Sequence, residues 1–514
     1  MSKSLPSPNN ASESEVLDSF LALAKLKGID PTQLLREAQS QAKPREVVTT
    51  SPPSRKKVAV FSSNFDPPSR YHREVATKLL AMGFDEVIVA PSGPRPLKGA
   101  REHAPAAHRA ALTTLAFRGL PAVTVDFSDL DDGVFSSFEQ QVERHAAGGE
   151  TWLVVPAEVL RGAREGKSLL QARMREDDSL WRQGRFIILY SEGETLDPAD
   201  LPPHHKLLQV ASHIPSAELR ARVYGGKSID ECVTPDVSKY IARHRLFLPY
   251  SAPKPALMSF QRPKLMIVFD ERNERAAALA KKYESQQGDP ADMILVLGGD
   301  GTMLHAIRQH WKLRLPFLGL NTGNYGFLMN EALPEKLDNL ELVAHAMPML
   351  RVDAETPDGK PLRGLAYGDA WIERADGQAA WLKLEIDGQV RVPKVVGDGM
   401  LVATPSGSSA YARAMGAVPV PLNTPVLTLT GSNIFQPRFW KPMALADTSE
   451  VRITSLDRTG KRPLRGFLDG YPMGPVQSMR IRKSSVAAVE LVFTREFDPS
   501  GKLLRSLFPP VENF

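Results

Sequence analysis

Short β-branched apolar runs separated by helical stretches recur twice along this chain, and no other feature narrows the fold as much. The first series is Val58–Phe61, Val87–Ala90, Trp152–Val155 and Phe186–Leu189. The second is Leu265–Phe269, Met293–Leu297 and Pro316–Leu320. Runs this short and this continuously apolar predict strands buried on both faces. Strand–helix alternation then predicts parallel sheets covered by helices on either side, an α/β multidomain chain. After about Met347 the pattern changes to short alternating runs. Asp-Gly turn signals at Asp358, Asp376, Asp387, Asp398 and Asp469 punctuate them, which predicts a β-rich region.

Two Pro-containing stretches, 44–55 and 251–263, read as linkers. They predict a helical appendage over 1–43, an α/β domain over 56–250 and a second unit over 264–514. That second unit divides into an α/β part, 264–347, and a β-rich part, 348–514. In the appendage, Ser12 and Glu15 have capping-box spacing ahead of Val16, Phe20 and Leu23. Each large unit is expected to fold alone, so a chain beginning near Ser259 is expected to be active.

At 514 residues, 42% hydrophobic and 24% charged, the chain is neither disordered nor a disulfide scaffold. Its one cysteine, Cys232, permits no intrachain disulfide, and the eleven histidines show no metal-ligand spacing. No apolar run approaches the ~20 residues of a membrane span. A net charge of +5 permits anionic ligands without requiring nucleic acid. The expectation is a cytoplasmic protein with no nucleic-acid or membrane partner.

Gly298-Gly299-Asp300-Gly301-Thr302 follows the Met293–Leu297 strand and opens a helical run from Met303 to His310. Glycines at such a turn let backbone approach a phosphate, and a helix N-terminus favours anions. A carboxylate there repels phosphate unless it has another task, such as accepting a proton from an attacking hydroxyl or helping to hold a metal. The bland alternative is a tight turn with Asp300 as N-cap. A second Gly-rich loop, Asn321-Thr322-Gly323-Asn324-Tyr325-Gly326-Phe327-Leu328, follows the next strand. Gly397-Asp398-Gly399 then precedes Thr404-Pro405-Ser406-Gly407-Ser408-Ser409-Ala410-Tyr411, whose hydroxyls and aromatic ring suit sugar hydroxyls and an adenine face.

These three segments, in this order, resemble the NAD kinase family from about Lys264 onward. The resemblance implies an α/β domain followed by a β-sandwich-like domain, usually in a homo-oligomer. It implies transfer of a phosphoryl group from ATP, with Mg²⁺, to the 2′-hydroxyl of the adenosine ribose of NAD. By resemblance Asp300 is the catalytic aspartate. Gly299, Gly301, Thr302, Asn321, Phe327, Asp369, Asp398, Ser409, Ala410 and Tyr411 bind nucleotide. Three positions depart from the family: Gly368-Asp369 stands for an Asn-Glu pair, Ala414 for a serine, and Val396 for a frequent basic residue.

The first half carries Asn64-Phe65-Asp66-Pro67-Pro68, Ser69-Arg70-Tyr71-His72, Lys98, His108-Arg109 and Ile214–Arg220. This set resembles nicotinate- and nicotinamide-mononucleotide adenylyltransferases, with a Rossmann-like fold. The resemblance implies His72, Lys98 and Arg220 as phosphate-holding residues. Ser62 and Ser63 replace glycines, Ser69 replaces a histidine and Tyr71 a glycine. Glu158 stands for an aspartate, and Pro215 and Ala217 replace a serine and a threonine. The expectation is a degenerate domain fused to an NAD kinase. The alternatives are a bifunctional enzyme and a non-catalytic pyridine-nucleotide sensor.

Overall fold

The first series of apolar runs builds one sheet from Lys57–Ser63 (β1), Glu86–Pro91 (β2), Val123–Val125 (β3), Glu150–Pro156 (β4), Phe186–Ser191 (β5) and His205–Val210 (β6). The computed structural model describes residues 56–94, 103–146, 149–173, 179–248, 256–323, 326–334, 336–497 and 501–503. The appendage expected over 1–43, the linker 44–55 and Lys98 lie outside the described residues. The strand order is β3-β2-β1-β4-β5-β6, and every pairing is parallel. This is the order of doubly wound sheets, whose ligand crevice opens where the order reverses, beyond the carboxyl ends of β1 and β4. Ala59, Val60, Val87 and Ile187 are fully covered, which is why these strands read as unbroken apolar runs. β3 and β6 were not legible, because edge strands need no second apolar face.

The remaining strands begin with Ala256–Phe260 (β7), Leu265–Phe269 (β8), Met293–Gly298 (β9), Phe317–Asn321 (β10), Leu340–Glu355 (β11), Pro361–Ala366 (β12), Asp369–Arg374 (β13), Ala380–Ile386 (β14) and Gln389–Gly397 (β15). They continue with Gly399–Ala403 (β16), Val426–Ser432 (β17), Met443–Ala446 (β18), Val451–Ser455 (β19), Leu464–Leu468 (β20), Tyr471–Pro475 (β21) and Ser478–Thr494 (β22). β8, β9 and β10 run parallel, and β10 is also parallel to β22. β22 then turns the sheet antiparallel toward β19, β14 and β15, and β11 lies along it. A second, antiparallel sheet has the order β18-β17-β16-β13-β20-β21. Val352, Leu382 and Ile481 of the larger sheet share one core with Ile372, Met400 and Leu429 of the smaller.

Two expected boundaries give way. The linker 251–263 contains β7, which pairs with β11 from Leu340 to Ala344. Ala-Leu-Met-Ser-Phe alternates, and Met258 is buried beneath the sheet. The division at 347 falls inside β11, which runs unbroken from the parallel region into the antiparallel one.

Lys56 to Phe514 makes up one compact unit. The register of β11 against β22 steps from Pro348↔Ala488 to Leu350↔Lys483, so Ser484–Ala487 leave the ladder. This excursion receives the helix Ser128–Asp132. The Asp131 carboxylate accepts hydrogen bonds from Ser484 Oγ at 3.0 Å and the Ser485 N–H at 2.7 Å, and pairs with Arg351 at 2.9 Å. Arg482 donates to the Asp132 carboxylate at 3.0 Å. Val486 packs on Ala110 and Leu130. Arg314 donates to the carbonyls of Val486 and Ala488, and His244 pairs with Glu490 at 2.5 Å.

Candidate active site

Gly299 is the extended residue before the helix Asp300–His310 and serves as its N-cap, so Asp300 occupies the first helical position. The helix starts three residues earlier than its apolar pattern suggests. The Asp300 carboxylate does not cap its own helix. It accepts hydrogen bonds from the backbone N–H groups of Phe327 and Leu328, both at 2.9 Å. Burial raises its pKa, and those two N–H bonds work in the opposite direction. The two Gly-rich loops therefore meet at this carboxylate.

Gly298 and Gly301 differ in what the packing demands. A Cβ on Gly298 would lie 2.2 Å from Thr302 Oγ1, so the turn closes only over glycine. A Cβ on Gly301 would meet no described atom within 4 Å, so protein packing does not demand glycine there. Asn321 is buried, and its Oδ1 accepts the Gly323 N–H at 3.1 Å, which shapes the second loop. Asn324 and Tyr325 lie outside the described residues.

The antiparallel region contributes the segment Tyr367-Gly368-Asp369 between β12 and β13. Gly368 and Gly407 touch through their backbones: a Cβ on Gly407 would lie 2.2 Å from the Gly368 carbonyl oxygen. Thr404 Oγ1 donates to the Tyr367 carbonyl at 2.7 Å, and Ser406 Oγ donates to the same oxygen at 3.1 Å. Ser408 Oγ donates to the Pro405 carbonyl at 2.7 Å and accepts the Val420 N–H at 3.0 Å. The hydroxyls of Thr404, Ser406 and Ser408 are thus turned inward and hold backbone together. Ser409 is half-buried, and Ala410 and Tyr411 are exposed. The Tyr411 ring meets Trp371 edge-to-face, with centroids 4.0 Å apart.

Asp369 is pushed up to about 7, first by burial and then by the neighbouring Asp469 carboxylate. Asp398 is a third exposed and its carboxylate has two partners, Arg374 Nε at 2.6 Å and Asn433 Nδ2 at 2.7 Å. The Asn433 bond leads in holding its pKa down. Burial raises Tyr411, and the charges of Glu373, Asp369 and Asp398 raise it further. Tyr367 is raised by burial, then by the charges of Asp300 and Asp469. Asp369 and Asp398 thus act on Tyr411, and Asp300 and Asp469 on Tyr367. Neither Tyr367 nor Asp469 carries a sequence signal that marks it out as a site residue. The Asp469-Gly470 sequence signals only a turn.

In the first half, the expected phosphate-holding residues fare differently. His72 is buried, and its ring packs on Phe61, Phe65 and Tyr71. Its Nδ1 accepts the Ser69 N–H at 3.0 Å and lies 2.9 Å from Ser69 Oγ. Burial and His213 lower its pKa to about 3, so it is neutral at pH 7 and supplies no positive charge. Tyr71 stacks on His213 at 4.2 Å. Burial pushes Tyr71 up to about 12, helped by Glu158, Glu74 and Glu194. Arg220 donates to the Asp66 carbonyl at 2.5 Å beside a cavity of about 380 Å³ lined by His103, Tyr224 and Phe247. Another cavity, about 210 Å³, opens at the carboxyl ends of β1 and β2 between Ser62, Ser63, Ser92 and Gln141.

A family model described as the ATP-NAD kinase N-terminal domain matches residues 235–344. The NAD kinase of Brucella suis biovar 1 is 36% identical over 233 residues, 45% of this chain and 90% of that protein. The NAD kinase of Rickettsia bellii is 32% identical over 250 residues, 48% of this chain and 98% of that protein. A crystal structure of yeast NADH kinase complexed with NADH aligns with a TM-score of 0.42 and 17% identity, covering 50% of this chain and 90% of that one.

Proposed function

The chain belongs to the NAD kinase family, and we infer from this membership that it transfers the terminal phosphoryl group of ATP to NAD, giving NADP. The observation that carries the chemistry is the Asp300 carboxylate, held by two N–H groups at the first turn of a helix. Phosphoryl transfer needs positioning and charge stabilisation more than covalent help. Asp300 takes the proton of the adenosine ribose 2′-hydroxyl as that oxygen attacks the γ-phosphorus. The bond from γ-phosphorus to the β–γ bridging oxygen breaks, and ADP leaves. A carboxyl whose pKa is raised by burial is a stronger base once ionised. The N–H bonds fix its direction without neutralising it.

Mg²⁺ belongs to this reading as part of the ATP complex, where it screens the phosphate charge. Among the described residues there is no cluster of three His, Cys, Asp or Glu fit to cage a metal. That donor set suits an ion held mainly by phosphate oxygens and water, as Mg²⁺ commonly is. Asp369, Asp398, Ser409 and Tyr411 form the wall against which the dinucleotide lies. Gly299, Gly301, Thr302, Asn321 and Phe327 shape the loops at Asp300. The chain acts as a homo-oligomer in this reading, which size-exclusion chromatography with light scattering tests.

The β1–β6 half is a nucleotidyltransferase-like unit that no longer turns over. Its support is local: Tyr71 fills the place of a glycine, carboxylates surround it, and His72 is neutral. The test uses the purified chain with ATP and Mg²⁺, offered NAD in one reaction and nicotinate or nicotinamide mononucleotide in another. NADP forms in the first, and no pyrophosphate is released in the second. Robust pyrophosphate release makes the enzyme bifunctional. Absence of NADP overturns the kinase reading.

A further inference from the structure

Asp469 sits in a two-residue turn between β20 and β21, where Leu468 pairs with Tyr471. Asp469 and Gly470 have φ of 48° and 79°, the left-handed pair of a type I′ hairpin. A turn of that kind requires an Asp-Gly-like sequence but makes no demand on the carboxylate. Here the carboxylate is occupied. One oxygen accepts the Tyr367 N–H at 2.7 Å. The other accepts the Gly368 N–H at 2.6 Å and the Asp369 N–H at 3.1 Å. The Asp469 N–H in turn donates to the Asp369 carbonyl at 2.9 Å. The clip also bears on the close packing there, since a Cβ on Gly368 would lie 3.2 Å from Asp469 Oδ1.

We propose that Asp469 is a positioning residue for NAD, which sets the Tyr367–Asp369 segment and so aims the Asp369 carboxyl at the dinucleotide. The proposal rests on the NAD kinase reading. Asp469 itself reaches the substrate only through the segment it holds. Three converging N–H groups on one buried carboxylate fix a short stretch of chain far more tightly than strand pairing alone. That stretch spans the joint between the wall carrying Asp369 and the Tyr367 side chain, which lies in the electrostatic field of Asp300.

Asp469 also acts through charge. The charged groups acting on this pair are Asp469 on Asp369 and Arg308 of the helix Asp300–His310 on Asp469, and the neutral hydroxyls of Tyr367 and Tyr411 lie in the fields of the two carboxylates. A like charge beside Asp369 disfavours its ionised form, so removing it moves the Asp369 ionisation to lower pH.

The experiment is steady-state kinetics of the full chain across pH 5.5–9, with Asp469→Asn and, separately, Asp369→Asn. For Asp469→Asn, KM for NAD rises about tenfold, the effect of one strong hydrogen bond. KM for ATP stays within about twofold, and the acid limb of kcat/KM for NAD moves to lower pH. In Asp369→Asn the limb of kcat/KM for NAD loses the contribution of Asp369 and retains only that of Asp300, which keeps the test alive if Asp469→Asn does not fold. An Asp469→Asn enzyme with unchanged NAD affinity and unchanged pH profile overturns the proposal. So does an Asp369→Asn enzyme whose acid limb is identical to that of the wild type. Failure of the kinase reading would appear separately, as wild-type chain that makes no NADP.

Discussion

Asp300 and Asp369 are both part-buried carboxylates whose pKa values burial raises, yet they are set differently. Asp300 has two N–H donors to support its ionised form, whereas burial and Asp469 drive Asp369 toward its neutral form. Asp300→Asn keeps the size and can still accept one of the two bonds, so the fold and nucleotide binding persist. Turnover falls at least ~10²-fold, the lower range for loss of a general base. Near-normal NADP production by that variant, followed by a coupled dehydrogenase assay, would make Asp300 a loop brace only. Asp369 carries a stability signature. Its folded pKa of about 7 lies above the ordinary 3.8, so the native state binds more protons between those values. Its contribution to stability therefore declines as pH rises from about 4 to about 7, and the cost of burying the charge is complete above that. Asp369→Asn removes the cost. Thermal midpoints at pH 5 and pH 8 should drop less in the variant than in the wild type, and equal drops would refute the assignment.

At the scale of elements, β22 is the strand on which the parallel and antiparallel regions meet. It pairs parallel with β10, antiparallel with β11 and β19, and breaks register to receive the helix Ser128–Asp132. The break would leave Ser484 and Ser485 with unsatisfied polar groups if nothing docked there. Asp131 satisfies them and neutralises Arg351, itself buried. Asp131→Ala leaves Arg351 with Asp132 and Asp353 but removes the acceptor of the Ser484 hydroxyl and the Ser485 N–H, a loss of about 1–3 kcal/mol. Urea unfolding of the full chain measures it. Ser484→Ala removes the hydroxyl bond to Asp131 and the acceptor of the Val486 and Ala487 N–H groups, and costs about 1–3 kcal/mol. An Asp131→Ala chain as stable as wild type would show that the excursion holds itself.

At the scale of the whole molecule, the segments 56–250 and 264–514 are not two independent units joined by a tether. A piece beginning near Ser259 was expected to fold alone. Such a cut falls inside β7 and removes much of its pairing with β11. It also takes away Asp131 and Asp132 from Arg351 and Arg482, His244 from Glu490, and Ala110 and Leu130 from Val486. The piece is therefore expected to be poorly soluble or inactive, and co-expression of residues 56–258 should restore NADP formation. A soluble piece with full-length activity would show that the first half is dispensable to the kinase. No helix among the described residues is long and apolar enough to cross a membrane.

Local chemistry was readable in the sequence. The apolar runs declared the central parallel strands, because a strand covered on both faces must be apolar along its length. The spacing of Gly298, Asp300 and Gly301 declared a strand-to-helix turn with a carboxylate at its mouth, since those requirements lie within five residues. The edge strands β3 and β6, and β7 within a Pro-rich stretch, carried no such pattern. What only the tertiary structure decided depends on partners far along the chain. Asp469 meets Gly368 across 101 residues, and Asp131 meets Ser484 across 353. Thr404, Ser406 and Ser408 looked like sugar-binding hydroxyls but are spent on backbone carbonyls. His72 looked like a cation and is neutral. Desolvation and hydrogen-bond partnership belong to the environment of a side chain, and residue type and spacing do not specify that environment.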